Sequence, residues 1–222
     1  MIGEDALRIA EEAKHPFSSG YAHLGLGVVA LRQGNLRHAL REFERALAAG
    51  AFADSPVGFA FVALHLGYTL ALAGRSDEGI PILEQSVKVA ESRGFVARHA
   101  LRLAYLSEAF LVAGRIDAAA ATGLRALELA LQHGERANEA YALRVLGEVE
   151  TRCEKHVEAE ARFRAALLLS RELGMLPLEA HCHGGLANVL DAMGQASVAA
   201  SHRQSAEQLV HAMQMSFWGT AL

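Results

Sequence analysis

Leu26-Gly27-Val28-Val29-Ala30-Leu31-Arg32-Gln33-Gly34 decides the fold, because its opening pair returns at a fixed interval. Leu66-Gly67, Leu106-Ser107, Leu146-Gly147 and Leu186-Ala187 follow it in an unbroken, evenly spaced series. Such self-similarity is the mark of stacked repeats, in which each unit buries its apolar face only against its neighbours. The glycine that closes the stretch recurs as Gly74, Gly114 and Gly194. Five positions beyond that column a small residue stands in every copy: Ala39, Gly79, Ala119, Ala159 and Ala199. Seven further on, Ala46, Ser86, Ala126, Ala166 and Ala206 are small again.

Each repeat reads as a helical hairpin. His15-Pro16 and Ser55-Pro56 occupy equivalent places, and proline suits a first helical position because its missing N–H would be unpaired there anyway. From Pro16 to Arg32 the pattern predicts a first helix. Gly34-Asn35 turns, and Leu36 to Ala49 forms a second helix with Ala39, Phe43, Ala46 and Leu47 at the 3–4 spacing of a buried stripe. Ser76 is expected to cap the second helix of the next hairpin. Gly94, Gly134 and Gly174 stand where helices end in a left-handed residue. The repeats so drawn are 16–53, 56–93, 95–133, 135–173 and 176–213, within a single elongated domain 1–222. A partial repeat occupies 1–14, and 214–222, with Phe217 and Trp218, begins a further helix. Ala6-Leu7 stands one full period before Ala46-Leu47, so the chain is expected to start inside a repeat and to be a piece of a longer protein.

Composition narrows the function. With 52% hydrophobic residues in 222, there is ample material for one continuous core. A net charge of −4, with no block of like charge, offers no footprint for nucleic acid or an anionic membrane. Cys153 and Cys182 are too few for a disulfide framework and indicate a reduced, cytoplasmic setting. Glu4, Asp5 and Glu11 make the N-terminus unlike a signal peptide. Ser55 to Gly74 carries no formal charge, but His65, Tyr68, Thr69 and its register with charged segments make it a buried solenoid helix rather than a membrane span.

The leucine-small pair, the turn glycine and the two small columns resemble the tetratricopeptide repeat, whose usual period is 34, here lengthened to 40. A HEAT-like array is the alternative at this period. The resemblance implies an all-α fold: a right-handed α-α superhelix, or solenoid, of five tetratricopeptide-like hairpins with a partial repeat at each end. A closer resemblance spans nearly the whole chain. It rests on His99-Ala-Leu-Arg-Leu-Ala-Tyr-Leu-Ser-Glu-Ala-Phe110, on Ala142-Leu-Arg-Val-Leu-Gly-Glu148, on Glu172-Leu-Gly-Met-Leu-Pro-Leu-Glu-Ala-His-Cys-His183 and on Met213-Gln-Met-Ser-Phe-Trp218. These are similar to the C-terminal repeat region of bacterial signalling proteins that join an AAA-type ATPase to a class III adenylate/guanylate cyclase or to a transcriptional output domain. The resemblance implies a sensing or partner-binding module. The chain has no Gly-x-x-x-x-Gly-Lys-Ser/Thr phosphate loop and no cyclase segment, so no activity carries over.

The first helices of such an array line its concave surface. Residues at −5, −2, +2 and +5 from the leucine column share one face. That face reads Tyr21, Leu24, Val28, Leu31, then Phe61, Leu64, Tyr68, Ala71, then Leu101, Ala104, Glu108, Leu111. It continues as Tyr141, Arg144, Glu148, Thr151 and His181, Gly184, Asn188, Asp191. The early part is apolar and aromatic, the later part polar and charged, which suits an amphipathic peptide. The candidate contact residues are Tyr21, Phe61, Leu64, Tyr68, Glu108, Tyr141, Arg144, Glu148, His181, Asn188 and Asp191. Arg144 and Glu148, one turn apart, are positioned to pair.

No catalytic or metal chemistry is legible. His181 and His183 diverge by about 200° on a helix and cannot share an ion locally. His183 shares a core column with His23, Ala63, Leu103 and Leu143 and reads as a packed core histidine. Neither cysteine has a predicted histidine orienter, and no serine elbow is present. The sequence therefore predicts a non-enzymatic scaffold that needs no cofactor or metal and binds a protein or peptide, including upstream ATPase or cyclase domains. The alternative is a small-molecule inducer sensor. A third reading is self-association through the terminal helices, where Leu7 and Trp218 lie.

Overall fold

The structure, a computed structural model, describes residues 2–50, 54–96 and 98–215. Among them are eleven α-helices and no strand. The chain packs as two compact units, Met1–Val96 and Ala97–Leu222. The first holds α1 (Ile2–Glu12), α2 (Pro16–Arg32), α3 (Leu36–Ala48), α4 (Pro56–Leu72) and α5 (Ser76–Ser92). The second holds α6 (His99–Val112), α7 (Ile116–Gln132), α8 (Arg136–Arg152), α9 (His156–Glu172), α10 (Leu176–Ala192) and α11 (Ala196–Met213). Consecutive helices pair as hairpins, α2 with α3 and α4 with α5 in the first unit, and α6 with α7, α8 with α9 and α10 with α11 in the second. The segment expected to continue beyond Met215, including Phe217 and Trp218, lies outside the described residues.

Turns come twice in each repeat, so helices follow one another at half the period. At the end of most helices the amide of one residue donates to the carbonyl five positions back. Asn35 bonds Ala30, Arg75 bonds Leu70, Arg115 bonds Phe110, Glu135 bonds Ala130 and Gln195 bonds Leu190, at 2.8–2.9 Å. This is the Schellman closure, which satisfies carbonyls orphaned at a helix C-terminus and reverses the chain. The residue before each of these amides takes the left-handed conformation. It is a glycine at 34, 74, 94, 114, 134, 174 and 194, but Lys14, Glu154 and Gln214 adopt it too, with φ of 50°, 58° and 51°.

Helix starts follow local chemistry. Ser55 caps α4 by accepting from the Gly58 amide at 3.2 Å, with Pro56 as first helical residue. Asn35 caps α3 through the His38 amide. Ser76 does not cap: it is the first residue of α5, and the capping position belongs to Arg75, whose guanidinium grips Glu78 instead. The third hairpin also begins later than expected. Phe95 and Val96 lie outside the helix, Arg98 is left-handed with φ of 60°, and α6 starts only at His99. This start lacks the proline of α2 and α4.

The hairpins are locked where small residues meet. A Cβ added at Gly27 would come 2.5 Å from the Phe43 ring, and one at Gly147 would come 3.0 Å from Phe163. Phe43 and Phe163 are wholly buried and equivalent, each filling the notch its glycine leaves. Gly67 and Gly79 press backbone to backbone, since a Cβ on Gly79 would lie 2.4 Å from the Gly67 carbonyl oxygen. In the third hairpin Ser107 stands in the glycine column, and its buried hydroxyl donates to the Ala119 carbonyl at 2.7 Å. Gly185 of α10 also opens onto Phe163, at 2.4 Å, so one ring seats both its own hairpin and the next. It centres a cluster with Leu143, Leu178, Leu186, Val189 and Leu190.

Glu154 stands in the column otherwise filled by glycine at 34, 74, 114 and 194. A side chain in left-handed backbone costs about 1 kcal/mol, partly offset by the freedom glycine adds to the unfolded chain. Glu154→Gly is therefore expected to stabilise the protein by about 0.5–1 kcal/mol, and Gly114→Glu to destabilise it comparably, read from urea denaturation midpoints.

Candidate functional site

The expected binding face is carried by α2 and α4 in the first unit and by α6, α8 and α10 in the second. Within each unit these first helices lie side by side, although they are a full repeat apart in sequence. A helix facing neighbours on several sides must be apolar all round. The uncharged α4 meets that demand: residues 62 to 71 are all buried.

The candidate residues separate by exposure. In the first unit Leu64 and Tyr68 are buried at 0% and 2% exposure, and Phe61 is half-buried. Tyr21 is 43% exposed, its ring 5.3 Å from that of Phe17. In the second unit Glu108 and Arg144 are buried, Tyr141, Glu148 and His181 are half-buried, and Asn188 and Asp191 are exposed. Leu64, Tyr68, Glu108 and Arg144 thus serve the interior of this structure, and solvent-facing chemistry along the row falls to the others.

Arg144 reaches beyond its own helix. Its guanidinium donates to Glu108 on the adjacent α6, and the two side chains are only 6% and 8% exposed. They belong to successive repeats, so the bond ties neighbouring hairpins, and Tyr141 meets Tyr105 edge-on at 6.1 Å across the same two helices. Two charges so deeply buried offset each other's desolvation only while both are present. Cys182, on α10, is wholly buried, and its thiol is pushed up to about 12 by burial first; nearby Arg144 opposes this, while Glu148 and Glu179 add to it. Such a thiol is no nucleophile near neutrality. Cys153 is exposed, and both cysteines are free.

Asp191 pairs with Arg203 of α11. Among the described residues no group of three or more metal-ligating side chains is assembled, and no helix is long and apolar enough to cross a membrane. A separate notch opens in the first unit. It has a volume of about 340 Å³ and lies between the start of α4 and the end of α5. Asp54, Ser55, Gln85, Ser92 and Arg93 give it polar edges, and Pro56, Phe59 and Val89 an apolar floor.

His183 sits in the core, as its column predicts, and is 3% exposed. Its partners were not evident from the column. The ring bonds His202 of α11, Nδ1 to Nδ1 at 2.7 Å, and its Nε2 faces the Arg171 guanidinium at 3.0 Å. A signal was present in the register: His23 and Glu42 occupy the same two columns in the first hairpin, and they too bond, at 2.8 Å, with Arg45 on the other carboxylate oxygen.

No family model matches the chain, and no curated protein matches it in sequence. Solved structures do resemble it. BtubC (BKLC) from P. vanneervenii is similar over 99% of this chain and 91% of its own, at 18% identity and a TM-score of 0.65. A Rap protein in complex with Competence and Sporulation Factor matches over 90% of this chain, at 15% identity and a TM-score of 0.76. The Rap conjugation gene regulator of plasmid pLS20, in complex with the Phr* peptide, matches over 91%, at 18% identity and 0.73. This chain spans 55% and 56% of the lengths of those two Rap chains. At such identities the likeness defines the class of fold, an all-α helical-repeat array of tetratricopeptide type.

Breaking the buried pair from one side should cost more than removing it. Arg144→Leu is expected to destabilise the protein by about 3–5 kcal/mol. Glu108→Leu/Arg144→Leu should recover much of that loss in the same urea titration.

Proposed function

We propose that this protein is a non-enzymatic scaffold that binds a protein segment along the row of first helices in its second unit. One observation carries the reading. The repeated columns are occupied by packing, while Tyr141, Glu148, His181, Asn188 and Asp191 vary from repeat to repeat and remain half-buried or exposed along adjacent helices. An extended or helical peptide laid across α8 and α10 would meet the Tyr141 ring first, then Glu148, the Asn188 amide and Asp191, which is paired with Arg203. Such a strip favours a ligand with an apolar anchor and a basic group, because few well-placed polar groups on an apolar bed fix orientation. Tyr21 and Phe61 form the corresponding apolar strip of the first unit. The Rap structures, captured with Competence and Sporulation Factor and with the Phr* peptide, support the reading by likeness of fold. The sequence resemblance to repeat regions of ATPase–cyclase and transcriptional regulators supports a regulatory place within a larger bacterial signalling protein, in the cytoplasm.

Selection of a random peptide library on the immobilised protein tests this. Enriched peptides should carry Lys or Arg near an apolar residue. They should lose at least about 10-fold in affinity on Asn188→Ala/Asp191→Ala, equivalent to about 1.4 kcal/mol, and none on Leu124→Ser, an exposed position of α7. Enrichment of nothing, or binding indifferent to Asn188 and Asp191, contradicts the proposal.

The notch in the first unit favours a second reading, a small-molecule sensor, since its volume lies at the lower end of ligand-site sizes. A metabolite at about 100 times its dissociation constant would add about 2.7 kcal/mol of stability. In a thermal-shift screen that shift should vanish with Arg93→Ala.

A further inference from the structure

The last helix offers its partner little buried bulk. In α11 the buried residues are Ala199 and Ala206, both too small to bury much apolar area, and α11 packs principally on α10. Between these two helices stand His183 and His202. Arginine can only donate, so Nε2 of His183, facing Arg171, must accept. The His183 proton then sits on Nδ1 and is donated to Nδ1 of His202, which leaves the His202 proton on Nε2. The chain of bonds runs one way: Arg171 to His183 to His202. A further proton finds no acceptor within hydrogen-bond reach along it, since the Glu179 carboxylate, itself engaged by Arg171, stands 3.9 Å from Nε2 of His183. A proton added to Nε2 of His183 meets the Arg171 guanidinium, and one added to Nδ1 of His202 meets the N–H of His183 head-on.

From this geometry we infer that the His183–His202 contact is an acid-released latch, which holds α11 on α10 when both rings are neutral and lets go when either is protonated. The charges around it favour the neutral state near pH 7. Arg171 and Arg164 of α9 face the pair, and Glu179 of α10 and Glu160 of α9 partly offset them. Arg171 is itself held by Glu179 at 2.8 Å, and Arg203, the neighbour on α11, is taken up by Asp191. The charged groups of α8, Arg144 and Glu148, act on Cys182. Burial first, then the neighbouring His202 and then Arg171 push His183 down to about 4; burial first, then Arg164 and Arg171 lower His202 as well. The sign follows from these lowered values. The unfolded or detached rings, with the ordinary histidine value near 6.5, take up protons that the docked rings refuse. Attachment is therefore complete above about pH 6.5 and weakens as pH falls toward 4.

The register supplies the matched control. Repeat three carries Leu103 and Thr122 where repeat five carries His183 and His202, so His183→Leu/His202→Thr copies a solution already used in this chain. Amide hydrogen exchange on the full chain, corrected for intrinsic rates, should show protection of residues 196–213 falling at least about 10-fold more than that of 136–152 between pH 7.5 and 5.0. In the double variant the two segments should respond alike. Equal acid responses in the native chain, or an undiminished excess in the double variant, would overturn the latch. Should the variant not fold, imidazole nitrogen shifts in the native chain decide. Titration of His183 and His202 at the midpoint of α11 release supports the latch, and separate midpoints refute it.

Discussion

Close approach of the two helices in each hairpin is the constraint on which everything else rests. Where Gly67 meets Gly79 the backbones nearly touch, and at Gly27 and Gly147 the space is filled by the rings of Phe43 and Phe163. Either way the position opposite has no room to spare, and this fixes how the second helix lies on the first. Interiors packed like organic crystals transmit such a constraint. Phe163, shared between Gly147 and Gly185, passes it from the fourth hairpin to the fifth. The Schellman turns set the spacing, but the small-residue contacts set the geometry that places α6, α8 and α10 side by side.

The middle hairpins and the outer ones solve the same packing problem with different chemistry. Columns 23 and 42 carry His and Glu in the first hairpin and His and His in the fifth, and both pairs are hydrogen-bonded. In the intervening repeats the corresponding residues are Ala63 and Ile82, Leu103 and Thr122, and Leu143 and Arg162. Arg162 turns aside to Glu150 at 3.2 Å. Polar cross-helix bonds are directional, whereas aliphatic contacts are not. The first and fifth hairpins thus place a hydrogen-bonded pair in columns that the second fills with Ala63 and Ile82 and the third with Leu103 and Thr122.

The fold was legible because its determinants are periodic. Leu26, Gly27, Gly34 and Ala39 mean little singly, but their regular return identifies helices, turns and close contacts together. Departures from the period were harder to read. Glu154 fills a left-handed position that only the backbone reveals, and the late start of α6 at His99 has no counterpart in the other repeats. The candidate face was legible as a face and not as a surface. Helical spacing places Tyr68, Glu108 and Arg144 on the same side as Tyr141 and Glu148, but it cannot tell how tightly adjacent first helices close over them. The bond from Arg144 to Glu108 joins one repeat to the next, and local spacing, which points only to the nearby Glu148, does not encode it.

That backbone-close contacts define the hairpins is most directly tested at Gly79. In the other four repeats alanine stands at this position opposite a first helix that accommodates it, so the substitution is chemically minimal and compatible with a helix. Measured by urea denaturation, Gly79→Ala should destabilise the protein by about 1–3 kcal/mol, the usual cost of forcing a methyl into a filled core, despite alanine's better helix propensity. A neutral or stabilising Gly79→Ala would show that the helices are free to move apart, and would contradict the account.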